Sequence, residues 1–135
     1  MTDLFVYGTL MDADVRQRVC GKPLNDLEPA SIRGYRCVHV KGQSYPVLRP
    51  QTGGLVPGFL LHRLDLACMA RLCAYEGGEY QLAESRIVVA FGPTISAQVF
   101  LPTASVQDDG RPWRFEEWQK RHKRSFLLTL PRRPE

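Results

Sequence analysis

The chain has no long apolar run. Its 135 residues hold only stretches of a few consecutive apolar side chains, far short of the roughly 20 that a membrane-crossing helix needs. Asp3 stands where a secretory leader would carry positive charge. The sequence therefore reads as cytoplasmic, with no membrane partner. Cysteine is scarce and irregular: the residues at 20, 37, 68 and 73 form no Cys-x-x-Cys pair and keep no regular spacing with His39, His62 or His122. Neither a structural zinc site nor a disulfide framework is indicated, and reduced, mostly buried thiols are expected. Repeats, low-complexity tracts and long linkers are missing too. With 44% apolar residues available for a core, residues 1–130 read as one domain. Residues 131–135, which lack an apolar anchor, read as a frayed tail.

Positive charge is present but uneven. The net charge is +4, yet residues 111–135 alone hold eight lysines and arginines against three glutamates, which leaves the rest of the chain at −1. Lys120-Arg121-His122-Lys123-Arg124 is a run that nucleic acid would attract. The competing reading, which we favour, is a solvated helix face. Trp113, Phe115 and Trp118 fall near helical spacing, and Pro112 suits a first helical turn, so an amphipathic helix that docks its aromatics and keeps its charges wet is expected.

Along the chain, residues 4–7 read as a strand and 13–20 as a short helix stopped by Gly21. Strand-like segments follow at 32–40 and 45–48, with 41–44 as the turn between them. Gly53-Gly54 reads as another turn before an apolar run at 55–61. Within that run Pro57 and Gly58 argue for an edge or a bulge. Residues 66–74 form the one clear mid-chain helix: Asp65 is placed to cap it, and Cys68 and Leu72 make an i, i+4 apolar pair. Residues 85–91 and 96–101 read as a hairpin through Gly92-Pro93. Strands dominate and helices lie among them, which points to an α+β chain; closure of the sheet into a small barrel is a natural way to remove unpaired edges.

Two segments carry chemistry. In Leu4-Phe5-Val6-Tyr7-Gly8-Thr9-Leu10, an apolar strand breaks into a turn with a glycine between two hydroxyl side chains. Such a loop suits an anion such as a carboxylate, held by backbone N–H groups; it is also what an ordinary strand and turn look like. In Tyr75-Glu76-Gly77-Gly78-Glu79-Tyr80, Glu76 comes just past a helix C-terminus. The negative end of the helix dipole and burial among Tyr75 and Tyr80 both push its pKa upward, as a proton shuttle requires. The alternative is a turn acid that accepts hydrogen bonds from Gly77-Gly78 and has no chemistry.

Together, Tyr7-Gly8-Thr9-Leu10, Tyr45-Pro46-Val47-Leu48-Arg49-Pro50, Val56-Pro57-Gly58-Phe59-Leu60-Leu61 and the Tyr75–Tyr80 motif, in this order, resemble the γ-glutamylcyclotransferase-like proteins of the AIG2-like branch, over residues 4 to 101. The resemblance implies a small mixed barrel with flanking helices and a pocket at one mouth. It implies an enzyme that closes 5-oxoproline by intramolecular acyl transfer from a small-molecule γ-glutamyl substrate, with no cofactor and no metal. By position Glu76, rather than Glu79, is the general acid/base. Tyr7, Gly8, Thr9 and Leu10 hold the glutamyl carboxylate, with Tyr80 beside them. Two departures stand out. Cys73 replaces an aspartate common two residues before the motif's aromatic, and Leu82 replaces the arginine of a Tyr-x-Arg that often follows, which leaves Arg86 or Arg49 as candidate substrate cations. Two other readings remain open: a non-catalytic module that binds a small carboxylate metabolite, and an adaptor that works through the basic C-terminal helix.

Overall fold

The computed structural model describes residues 1–130, so the expected frayed tail lies outside the described residues. Six strands appear in chain order: β1 (Thr2–Val6), β2 (Leu27–Val40), β3 (Pro46–Leu64), β4 (Tyr80–Val89), β5 (Ile95–Pro102) and β6 (Asp108–Pro112). Four helices accompany them: α1 (Ala13–Cys20), α2 (Leu66–Glu76), α3 (Phe115–Arg121) and α4 (Lys123–Thr129). Hydrogen bonding runs β3-β1-β5-β4-β2 and returns from β2 to β3, which closes a five-stranded barrel; β6 adds to the outside of β2. Among the described residues only β1 and β5 pair in parallel. No helix among the described residues is long and apolar enough to cross a membrane.

The alternation of β1 explains its apolar run. Phe5 and Tyr7 point into the barrel with Ile32, Leu60, Ile87 and Val99. Leu4 and Val6 point outward to a second core made with Val15, Val19, Leu72 and Trp118 of the helices. The stretch Leu4–Val6, buried on both faces, has no position for a polar residue. Gly58 has a related cause: a Cβ there would collide with the Val6 carbonyl oxygen and the Phe5 ring.

The long β3 departs from expectation at Gly53-Gly54 and takes the edge alternative, not the bulge, at Pro57-Gly58. Gly53-Gly54 does not separate two strands, because the residues on both sides of it pair with β2: Arg33 opposes Leu55 and Tyr35 opposes Pro50. Four β3 residues thus bulge out opposite Gly34. Gly34 and Gly53 take positive φ (86° and 77°), and this glycine demand is common to turns and bulges. Pro57 and Gly58, in turn, sit in unbroken register with Ser31 and Ala30. There is no bulge. The proline is tolerated because β1 pairs only as far as Phe59, so at Pro57 the strand has a partner on one side.

Side-chain caps open α1, at Asp12, and α2, at Asp65. Asp65 accepts the Cys68 N–H at 2.8 Å and caps α2, and α1 ends at Gly21 in the left-handed region (φ 73°). Cys20 and Cys68 bring their sulfurs to 2.9 Å where α1 meets α2. Helix α2 runs two residues further than the sequence reading, so Glu76 is its last residue rather than the first beyond it.

The C-terminal region also differs. Pro112 ends β6, opposite Val38, and does not start a helix. The helix begins at Phe115 and breaks at His122 into α3 and α4. Nor are all the charges wet: Lys123 is bonded to Asp12 at 2.9 Å and Asp14 at 2.8 Å. The aromatics do dock. Trp118 is 1% exposed and packs edge-on against Phe126 and flat against Phe115, while Trp113 donates its indole N–H to the Ser44 carbonyl at 2.7 Å. Truncating a buried tryptophan costs roughly 3–5 kcal/mol. Trp118→Ala is therefore expected to lower unfolding stability by about that amount in a denaturant titration. A loss below about 0.5 kcal/mol would mean that α3 does not anchor on the barrel.

Candidate functional site

At one end of the barrel, β1 and β5 end and β4 begins. There the chain encloses a cavity of about 680 Å³. All of the site residues read from the sequence line it: Tyr7, Gly8, Thr9 and Leu10 on one wall, Glu76 at the end of α2, and Tyr80 at the start of β4. Tyr45, Pro46 and Glu79 complete that part of the wall.

The loop after β1 forms a 3-10 turn over Thr9–Met11, in which Met11 N–H donates to the Gly8 carbonyl at 3.0 Å. The N–H groups that open such a turn have no acceptor within it. Gly8 is needed for contact rather than for φ, since a Cβ would come within 3.0 Å of the Pro46 ring. The side-chain hydroxyls face protein partners. Tyr7 donates to the Phe100 carbonyl at 2.6 Å, Thr9 shares a 2.6 Å bond with the Tyr75 hydroxyl, and Tyr80 donates to the Pro46 carbonyl at 2.6 Å. Burial, followed by the charges of neighbouring tyrosines and glutamates, holds the Tyr7 and Tyr80 phenols far above their ordinary pKa. These hydroxyls are therefore neutral and fixed by protein partners.

Two residues that sequence reasoning missed hold this loop. Arg16 is 6% exposed and donates to the Leu10 and Met11 carbonyls at 3.0 and 2.8 Å. Asp12 is 1% exposed; it caps α1 through the Asp14 and Val15 N–H groups and receives Gln119 at 3.0 Å and Lys123 at 2.9 Å. Burial alone would raise its pKa, but the Lys123, Gln119 and Val15 donors outweigh it and hold the carboxyl below its ordinary value. A lone polar residue in a polar stretch gives no sequence signal of such long-range partners.

Glu76 contrasts with Asp12. Among the described residues no hydrogen-bond donor or cation engages its carboxyl. The Gly77 N–H, which the turn-acid reading would assign to it, donates instead to the Cys73 carbonyl. Burial at the cavity wall, and secondarily the charge of Glu79, raise its pKa from 4.5 to about 8. Glu79 accepts the Tyr45 hydroxyl at 2.8 Å, and burial together with that bond pushes the phenol up to about 12. Two glutamates of one motif thus have different environments: one is partnered and exposed, the other unpartnered and desolvated.

The cations differ from expectation. Arg49 binds Asp108 at 2.8 Å and the Val106 carbonyl at 2.6 Å, which ties β3 to β6. Arg86 bonds Thr94 across the β4–β5 hairpin. Neither lines the cavity, whereas Arg18 of α1 and Arg71 of α2 do. Arg71, Ala74 and Tyr75 stand at i, i+3 and i+4, one stripe of α2, and this spacing could have identified the arginine. No cluster of three or more His, Cys, Asp or Glu that could hold a metal ion occurs among the described residues.

Comparison with known proteins agrees with this architecture. AIG2-like protein A of Arabidopsis thaliana is 28% identical over 131 residues, covering 95% of this chain and 78% of that protein. AIG2-like protein B of the same plant is 25% identical over 127 residues, covering 93% and 73%. A solution structure of an Arabidopsis thaliana protein superposes with a TM-score of 0.73 at 28% identity, over 95% of this chain and 87% of that one. A structure of a gamma-glutamyl cyclotransferase shares the fold at a TM-score of 0.59 and 13% identity, over 79% and 69%. The sequence model of the family described as "Gamma-glutamyl cyclotransferase, AIG2-like" matches residues 4–120, and the chain belongs to that family.

Proposed function

We propose that the protein releases 5-oxoproline from a γ-glutamyl amine or peptide by intramolecular acyl transfer, with Glu76 as general acid/base. The observation that carries this reading is a desolvated carboxyl with no partner among the described residues, placed on the same cavity as the backbone donors of the Gly8–Leu10 loop. The opening N–H groups of that loop receive the glutamyl α-carboxylate. The α-amine, once neutral, attacks the γ-carbonyl carbon. As the new C–N bond forms, Glu76 takes the proton which that nitrogen sheds; as the old amide C–N bond breaks, Glu76 returns it to the departing nitrogen. The substrate supplies its own nucleophile, so the chain has only to hold a folded glutamyl group and move one proton. Residues 1–130 act in this as one unit, in the reducing cytoplasm that the four free cysteines suit.

The raised pKa sets the pH behaviour. A base that ionises near 8 in the free protein makes kcat/KM for 5-oxoproline release climb as pH passes through about 8. In Glu76→Gln that limb is absent, and kcat falls roughly 10²–10⁴-fold in a folded protein. A drop of only a few-fold would assign Glu76 to structure. Glu79→Gln, which removes a partnered acid, is expected to cost less.

Stability should move the opposite way. The folded pKa of Glu76 lies above its ordinary 4.5, so its contribution to stability is fully present below 4.5 and is lost as pH rises through about 8. Glu76→Gln is expected to melt higher than the parent at pH 9 but not at pH 4. If the two proteins lost stability in parallel over that range, the carboxyl would be solvated.

A further inference from the structure

We propose that Arg71, with Arg18 beside it, reads a carboxylate on the departing amine, so that the preferred substrates are γ-glutamyl amino acids or peptides with a free acid next to the scissile nitrogen, rather than conjugates of uncharged or cationic amines. The inference rests on the reaction proposed above. It starts from the polarity of the cavity, which carries Glu76 and Glu79 toward the C-terminal end of α2 and two arginines further back. Arg71 precedes Glu76 by five residues on the same helix, a rise of about 7 Å. The glutamyl part must fold back on itself next to Glu76 and the Gly8–Leu10 loop, so the part of the substrate that extends away from them is the leaving group.

Arg71 is held in place without being neutralised. One of its terminal nitrogens donates to the Cys20 carbonyl at 2.7 Å, which leaves most of its five N–H groups for other acceptors. Among the described residues no carboxylate pairs with it. Asp65, whose pKa feels the Arg71 charge, is itself bonded to Lys22 at 3.0 Å. Arg18 reaches the Leu127 carbonyl at 3.0 Å and borders the same cavity. Next to the two cations the lining turns apolar, with Phe126 and Leu130. Such a wall fits an amino-acid side chain on the carbon that also bears the carboxylate. The cation missing from β4, where Leu82 stands, is thus supplied from α1 and α2.

A matched substrate pair provides the test. γ-Glutamyl-leucine and γ-glutamyl-3-methylbutylamine have leaving groups that differ only in the carboxylate, and the ratio of their kcat/KM values cancels any general loss of folding or catalysis within one variant. The parent protein is expected to favour γ-glutamyl-leucine about 10- to 100-fold, the effect of one charge-assisted hydrogen bond. Arg71→Gln should bring the ratio close to 1, Arg71→Lys should restore part of it, and Arg71→Glu should shift preference toward a γ-glutamyl diamine. Equal turnover of the pair by the parent, or a ratio that Arg71→Gln leaves unchanged, overturns this inference while leaving the reaction intact. No 5-oxoproline from any member would instead overturn the reaction, and this inference with it.

Discussion

One strand closes the barrel, and the location of the site follows from it. β3 pairs with β2 on both sides of its bulge and with β1 near its end, so nineteen residues bridge the two ends of an otherwise open sheet. Its first residue, Pro46, accepts the Tyr80 hydroxyl and packs on Gly8. Its last residues lead through Asp65 into α2, which returns across the barrel end and delivers Glu76 to the cavity. Without the bulge at Gly53-Gly54 the two halves of β3 could not both stay in register with β2, because three extra residues must be absorbed there.

The two acids nearest the loop show how the chain divides stability from chemistry. Asp12 is fully partnered, and its network joins α1, α3 and α4 behind the Gly8–Leu10 turn. Arg16 fixes the carbonyls of that turn from the same side. The result is a loop held rigid by groups that do not face the ligand, the support a binding site needs if its backbone donors are to stay in place. Glu76 is left with burial and no partner among the described residues, which costs stability as pH rises from 4.5 to about 8. Such a carboxyl is what the proposed proton transfer requires.

Much of this could be read in the residues themselves. The β1 strand, the Tyr7–Leu10 loop, the Asp65-capped helix and the direction of the Glu76 shift are local: each depends on neighbours within a few positions, where periodicity and capping rules operate. The parts that escaped are those that depend on distant partners or on degenerate signals. Gly53-Gly54 has the composition of a turn because positive φ is the shared requirement, and only the pairing with β2 distinguishes a bulge. Pro112 suits a helix start equally well as the end of an edge strand. Lys123 lies in a basic run, and nothing nearby in sequence announces Asp12. Arg86 is the next arginine along the strand from Leu82 and Arg49 lies within a motif, but β-strand alternation does not tell which face closes over the cavity. The arginines that line it come from helices that meet only in the folded chain.

The account stands on the protonation state of one side chain. The most direct measurement is an NMR titration of the Glu76 side-chain carboxyl, followed through its ¹³Cδ shift between pH 4 and pH 10, with Glu76→Gln to assign the resonance. A single transition with a midpoint close to 8 is the result that burial without a partner predicts. A midpoint between about 4 and 5, the range of a solvated glutamate, would contradict the account, since a carboxyl already ionised at neutral pH has no desolvated site around it.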